Sequence, residues 1–215
     1  MTAPEENRVT ANSGSVKLRH DMRALSSMIG DGKRILDIGC GEGVLLEHLV
    51  RDKAAVARGL ELSQQLVNKA VARGLSVIQG NADTDLVYYP DQSFDYAILS
   101  QTLQATNNPR AVVAELLRIG RRAVVSFPNF GHWRVRLSLG LSGRMPVTKS
   151  LSYQWYETPN IHFCTIKDFF VLCRDMDVVI EQFAILDAQG KPRNPALANL
   201  LGHQAIFVLR NPRNS

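Results

Sequence analysis

The stretch Ile35-Leu36-Asp37-Ile38-Gly39-Cys40-Gly41-Glu42-Gly43 carries the most chemistry in this sequence. An apolar strand ends at Ile38, three glycines turn the chain, and a helical pattern starts near Gly43. Glycine permits positive φ and lets a ligand lie against main-chain atoms with no Cβ in the way. The N-terminus of the following helix adds free N–H groups and partial positive charge. The glycines read G-x-G-x-G, not the G-x-G-x-x-G of dinucleotide sites. Asp37, two positions before Gly39, would repel a pyrophosphate and would attract an ammonium or sulfonium group.

That preference points to S-adenosyl-L-methionine (or its product S-adenosylhomocysteine), a nucleoside ligand without phosphate. Gly59-Leu60-Glu61-Leu62 places an acid 24 positions after Asp37, close to the roughly 20-residue offset of a ribose-binding acid. Its carboxylate can accept from both ribose hydroxyls. Gly80-Asn81-Ala82-Asp83 follows the third strand and is placed to meet the adenine. Ser93-Phe94-Asp95-Tyr96 leads a fourth strand to Ser100-Gln101, beside the sulfonium end. Each piece has a plainer reading alone: the glycines as a tight turn, Glu61 as a solvated strand end. Their order, each at a strand's C-terminal edge, argues for one site. The binding set is therefore Asp37, Gly39, Cys40, Gly41, Glu61, Leu62, Asn81, Ala82 and Ser100.

The elements that must hold these residues follow from periodicity. Val16–Ile29 reads as an amphipathic helix with Leu18, Met22, Leu25, Met28 and Ile29 on one face. Short apolar strands are predicted at 33–38, 54–60, 75–79, 94–99 and 123–127. Helices fill the gaps at 44–53, from a Ser63 cap to Arg73, and from Pro109 to Ile119. A helix capped by Thr165 runs through Cys173, and strands at 178–186 and 204–209 are joined by a Gly/Pro/Asn-rich loop suited to an antiparallel hairpin. The fold class is α/β: a Rossmann-like, doubly wound, seven-stranded, mostly parallel sheet with its last strand antiparallel.

At 215 residues, 45% hydrophobic and 21% charged, the chain has the balance of one ordinary globular domain. Residues 1–14 read as a disordered polar tail without the apolar core of a signal peptide. Residues 15–212 form a single domain. No apolar run reaches the roughly 20 residues that cross a bilayer. Cys40, Cys164 and Cys173 lack paired spacing, which fits free thiols in the cytoplasm. The net charge of +5 is scattered along the chain, so neither nucleic acid nor membrane is an expected partner.

The segments Leu36–Gly43, Leu60-Glu61, Asn81-Ala82 and Ser93–Asp95 resemble the class I methyltransferases over about residues 33–127. Longer strings are more specific. Ser100-Gln101-Thr102-Leu103-Gln104, Arg118-Ile119-Gly120-Arg121-Arg122, Ser126–Trp133, Gly143–Thr148 and Tyr153–His162 resemble the methionine biosynthesis protein MetW family, over about residues 18–186. Leu62-Ser63 stands where that family often has Ile-Asp, and Asn81 where it often has Asp. The resemblance implies the class I methyltransferase fold and a role at the homoserine O-acylation step. It also implies a partner, the homoserine O-acyltransferase MetX, whose activity the family supports.

Residues 128–164 are too long for a plain connection. Phe130, Trp133, Tyr153, Trp155, Tyr156 and Phe163 stand there beside Arg134, Arg136, Arg144 and Lys149. An aromatic mini-core, a protein interface and a ligand lid all fit that composition. No acid–base constellation is evident. His132, His162, Tyr153 and Glu157 could each serve as a base, and each is more often structural. His162 and Cys164 are too few ligands for a metal, and Cys40 is placed for backbone contact and packing rather than nucleophilic attack. The leading expectation is a ligand-binding partner subunit whose occupancy could bias docking. A small-molecule methyltransferase is the alternative, and a nucleic-acid methyltransferase a third reading.

Overall fold

The computed structural model describes residues 18–148 and 153–212. The polar-tail segment 1–14 lies outside them, as do residues 16 and 17 of the first helical pattern and Lys149. In chain order the elements are α1 (His20–Ser27), β1 (Arg34–Ile38), α2 (Val44–Lys53), β2 (Val56–Glu61), α3 (Gln64–Ala72), β3 (Val77–Gln79) and β4 (Phe94–Ser100). Then follow α4 (Pro109–Ile119), β5 (Gly120–Pro128), α5 (Trp133–Ser142), α6 (Ile166–Asp175), β6 (Val179–Leu186), α7 (Ala198–Leu201) and β7 (Gln204–Arg210).

One seven-stranded sheet runs β3-β2-β1-β4-β5-β7-β6. Pairings among β1 to β5 are parallel, and β7 lies antiparallel between β5 and β6. The hairpin inferred from the loop between the last two strands is present. Strand order reverses between β1 and β4, so the C-terminal ends of those strands open a crevice at a topological switch point.

Alternation along β1 explains its central place. Ile35 faces one layer with Leu25, Leu46, Leu49 and Val67 of α1, α2 and α3. Leu36 and Ile38 face the other with Val112 and Leu116 of α4 and Phe169 of α6. A strand buried on both faces reads as a continuous apolar run, and Asp37 interrupts that run at the sheet's C-terminal edge.

Caps show which helix starts are set locally. Thr165 and Asp168 form a reciprocal capping box for α6, and Asn108 caps α4 through the Ala111 amide. Ser63 occupies the N-cap position of α3, but its side chain makes no cap bond. Glu61 takes the Ser63 amide instead, at 2.9 Å.

The 128–164 segment contains a helix that periodicity did not forecast. In α5 the apolar residues Trp133, Val135, Leu137, Leu139 and Leu141 recur every second position, a strand-like spacing. His132 Nδ1 caps the helix by accepting from the Arg134 amide, and Gly143 ends it at φ 61°. Asn129 anchors the segment: its amide nitrogen donates to Asn199 O and Gly202 O, and its oxygen accepts from the amides of Gly131 and Ile166.

Candidate functional site

Two adjoining cavities, of about 630 and 350 Å³, lie over the C-terminal ends of β1, β2 and β4. Gly39, Glu61, Gln101, Thr102, Pro159 and Asn160 line both. Asp37, Cys40, Gly41 and Ser100 line the larger one, and Leu62, Asn81 and Ala82 the smaller. All nine residues of the sequence-derived binding set therefore line one or the other of these adjoining cavities.

The glycine turn is built against its neighbours. Gly39 and Cys40 donate to Leu60 O at the end of β2, at 2.7 and 3.3 Å. Gly39 has φ 70°, and a Cβ there would fall 2.4 Å from Thr102 Oγ1. Gly41 has φ 59°, yet a Cβ there would meet nothing within 4 Å. The first glycine is demanded by packing, and the second leaves an uncovered main-chain surface beside the cavity.

Glu61 holds this turn. Its Oε2 accepts from the Gly41 amide at 2.8 Å and its Oε1 from the Ser63 amide at 2.9 Å. A carboxylate offers about four lone-pair sites, so capacity for ribose hydroxyls remains.

Asp37 is 1% exposed, and its Oδ1 is buried without a hydrogen-bond partner. Burial first, and then the nearby Glu61 charge, push its carboxyl up to about 7. A buried carboxyl oxygen with no protein donor, lining a cavity, suits a cationic group. The donor set as a whole fits S-adenosylmethionine: an orphaned acid for an ammonium, an open glycine backbone, and an acid at the ribose offset.

At the smaller cavity Asn81 is partly committed to its own turn. Its side-chain oxygen accepts from the Asp83 backbone amide, and its own backbone N–H donates to Asp85 Oδ2. Asp83 is a brace, accepting from the amides of Asn107 and Asn108.

Several cavity residues escaped the sequence reading. Arg19, Met22, Pro159 and Gln204 line the larger cavity. Gln101 takes φ 57°, a left-handed conformation costing on the order of 1 kcal/mol outside glycine. Its amide donates to Ser126 O at 2.8 Å and its Nε2 to Asp21 Oδ2 at 2.6 Å. Arg19 grips the same Asp21 through two nitrogens, at 3.2 and 3.1 Å. A signal for Asp21 existed: it stands three residues after Leu18 and four before Leu25, an acid on the apolar face of the first helix.

The candidate bases disperse. His132 sits at the head of α5, 4.0 Å from the His203 ring between centroids. Burial, helped by His203 and Arg134, lowers it to about 4. His162 lies 3.3 Å from Asn107 O through Nε2, and Glu157 is exposed. Tyr153 lines the larger cavity. Burial, then Asp37 and Glu61, raises the Cys40 thiol, which keeps it protonated and a poor nucleophile. Among the described residues no group of three His, Cys, Asp or Glu side chains is arranged for a metal, and no helix is long and apolar enough to cross a membrane.

The family model described as "Methionine biosynthesis protein MetW" matches residues 19–209. The chain belongs to the MetW family. A relative in Rhodopirellula baltica, named "Bifunctional methionine biosynthesis protein MetXA/MetW", is 34% identical over 191 residues, 84% of this chain and 30% of the relative. A ubiquinone biosynthesis O-methyltransferase of Neisseria meningitidis is 30% identical over 115 residues, 47% of this chain and 48% of the relative. The chain thus spans less than half the length of these curated relatives. Among solved structures, a S-adenosylmethionine dependent methyltransferase from Mesorhizobium loti superposes with TM-score 0.66 at 17% identity, covering 89% of this chain and 98% of that one. A SAM-dependent methyltransferase from Thermotoga maritima, described as a possible histamine N-methyltransferase, gives 0.64 at 18% identity, covering 89% and 87%. The sheet order and these likenesses establish the class I methyltransferase fold.

Proposed function

We propose that this MetW-family chain binds S-adenosyl-L-methionine, or S-adenosylhomocysteine, in the crevice and supports a homoserine O-acyltransferase as a partner subunit. In that reading Asp37 holds the ligand ammonium and Glu61 the ribose hydroxyls. Gly39, Cys40 and Gly41 offer backbone, Leu62, Asn81 and Ala82 surround the adenine, and Ser100 borders the sulfonium end. S-adenosylmethionine, when bound, would supply an electrophilic methyl group. The orphaned oxygen of Asp37 carries the ligand half of the proposal. The partner half is supported by the relative whose name joins MetXA and MetW in one polypeptide. Three free cysteines are in keeping with a cytoplasmic protein.

Such a ligand could regulate docking only by binding one form of the protein better than another. The test is a coupled assay of homoserine O-acylation with the purified acyltransferase, with and without this chain, and with and without S-adenosylmethionine. Stimulation together with co-purification supports the partner role. Equal rates and no complex would remove it, and identical stimulation at all ligand concentrations would remove the coupling.

The second reading is methyl transfer to a small molecule. Its supporting observation is the larger cavity itself, which extends from the glycine turn to Tyr153, Asn160 and Gln204. Positioning of methyl donor and acceptor supplies much of such a rate, and an acceptor that arrives deprotonated needs no base. Production of S-adenosylhomocysteine with a defined acceptor would favour this reading over the first.

A further inference from the structure

We propose that the face formed by α5 and residues 153–163 is the docking surface for the acyltransferase; the assignment rests on the partner reading above. Eleven of the twenty-five large apolar side chains exposed among the described residues fall between Trp133 and Phe163. On α5, Trp133, Leu137 and Leu141 stand four residues apart and share one ridge, with exposures of 40%, 50% and 79%. Only Val135 of that helix is buried. Beyond it, Trp155 and Tyr156 pack edge to face at 5.6 Å and are themselves exposed.

These aromatics do not gather into one mini-core over the sheet end: Phe130 packs on Phe163 at 4.8 Å, Tyr153 borders the larger cavity, and Trp155 and Tyr156 are exposed. A concentration of apolar and aromatic groups on a surface marks an interaction site. Its charge specifies the partner's chemistry. Across residues 133–148 and 153–163 the charged side chains are Arg134, Arg136 and Arg144 against one acid, Glu157, and Arg134 lies 5.3 Å over the Trp133 ring. The matching surface is apolar with carboxylates at its rim. The occupant is indicated by the fused relative, in which the matched region is 30% of a chain named for both activities. Fusion holds two modules at high effective concentration, an arrangement suited to partners that work in contact.

The face is also continuous with the ligand crevice. Tyr153, Pro159 and Asn160 belong to the same segment and line the larger cavity. The Ile161 and His162 amides both donate to Gln104 O, at 2.8 and 3.0 Å, pinning the segment to the loop after β4.

The test uses the full chain and purified acyltransferase, titrated calorimetrically. A Leu137→Glu/Leu141→Glu double variant and Trp155→Ala should each weaken the complex at least tenfold. Their S-adenosylmethionine affinity and melting temperature should match wild type. Val87→Glu, an exposed position after β3, is the control and should bind normally. Leu141→Ser, at the most exposed position of the ridge, serves where the double variant fails to fold. Folded variants that bind the acyltransferase as wild type does would overturn the docking face and leave the partnership standing. Failure of the wild-type chain to bind would overturn the partnership and this face with it. A wild-type dimer made monomeric by these changes, with acyltransferase binding intact, would show a contact between copies and overturn the assignment.

Discussion

Glu61 and Gly41 are joined at 2.8 Å, carboxylate oxygen to backbone amide, so the acid at the end of β2 holds the glycine turn at the end of β1. The other oxygen of Glu61 takes the Ser63 amide at the start of α3. One side chain thus ties together the two loops that flank the crevice. Its charge bears on Asp37, whose carboxyl is raised by burial and further by Glu61.

Glu61→Gln should therefore have two effects. The amide group presents an N–H where a backbone N–H already points, so one bond is lost and the turn loosens. A loss of about 2 kcal/mol in unfolding free energy is expected for a charge-assisted bond of this type, read by urea denaturation. Removing the charge should also move the titration of Asp37 to lower pH. A variant as stable as wild type would show that Glu61 does not hold the turn.

Asp37 itself should make ligand affinity depend on pH. Its folded value, pushed up to about 7, exceeds its ordinary value near 3.8. Between those values the folded state keeps a proton that the unfolded state has released, so stability falls as pH rises through that window. An ammonium ligand needs the ionised form, so S-adenosylmethionine should bind up to about tenfold more weakly for each pH unit below 7. Asp37→Asn should flatten that profile and weaken binding at pH 8 by about 10–100-fold, without lowering the melting temperature. Calorimetric titrations at pH 6, 7 and 8 decide this, and a pH-independent wild-type affinity would contradict it.

The two glycines should separate packing from ligand contact. Gly39→Ala puts a methyl 2.4 Å from Thr102 Oγ1 at a positive φ, and should lower stability by more than the about 1–2 kcal/mol of backbone strain alone. Gly41→Ala meets no protein atom within 4 Å, so strain alone remains in the free protein. Its main effect should be on S-adenosylmethionine affinity, reduced at least tenfold. Equal affinity for Gly41→Ala and wild type would mean the ligand does not approach that backbone.

The doubly wound sheet of seven mostly parallel strands and the loops at its strand ends were legible because each strand is a short apolar run closed by a turn. The helix α5 was not legible. Its apolar residues alternate, and what makes it helical is the His132 cap and the left-handed Gly143, not a buried face. The link from Glu61 to Gly41 and Ser63 joins two strand ends, and nothing along the chain announces it. Gln101 was visible as a neighbour of the site, but its positive φ and its bond to Asp21 depend on α1 packing across the crevice.

The His132–His203 pair should give the acid limb of stability. The His132 ring is lowered to about 4 by burial, the His203 ring and Arg134. His203 is lowered by burial and Arg134, with Asp187 opposing. An unfolded histidine takes its proton near pH 6.5, so between about 6.5 and 4 the unfolded state holds more protons than the folded one. Stability should fall as pH drops through that range. His132→Asn keeps a side-chain acceptor at the head of α5 and removes one titrating ring. Its melting temperature should drop less than that of wild type between pH 7.5 and 5, by about 2–4 °C. Parallel acid limbs for the two proteins would mean that protonation of His132 does not oppose folding, and that the loss at low pH originates at other groups.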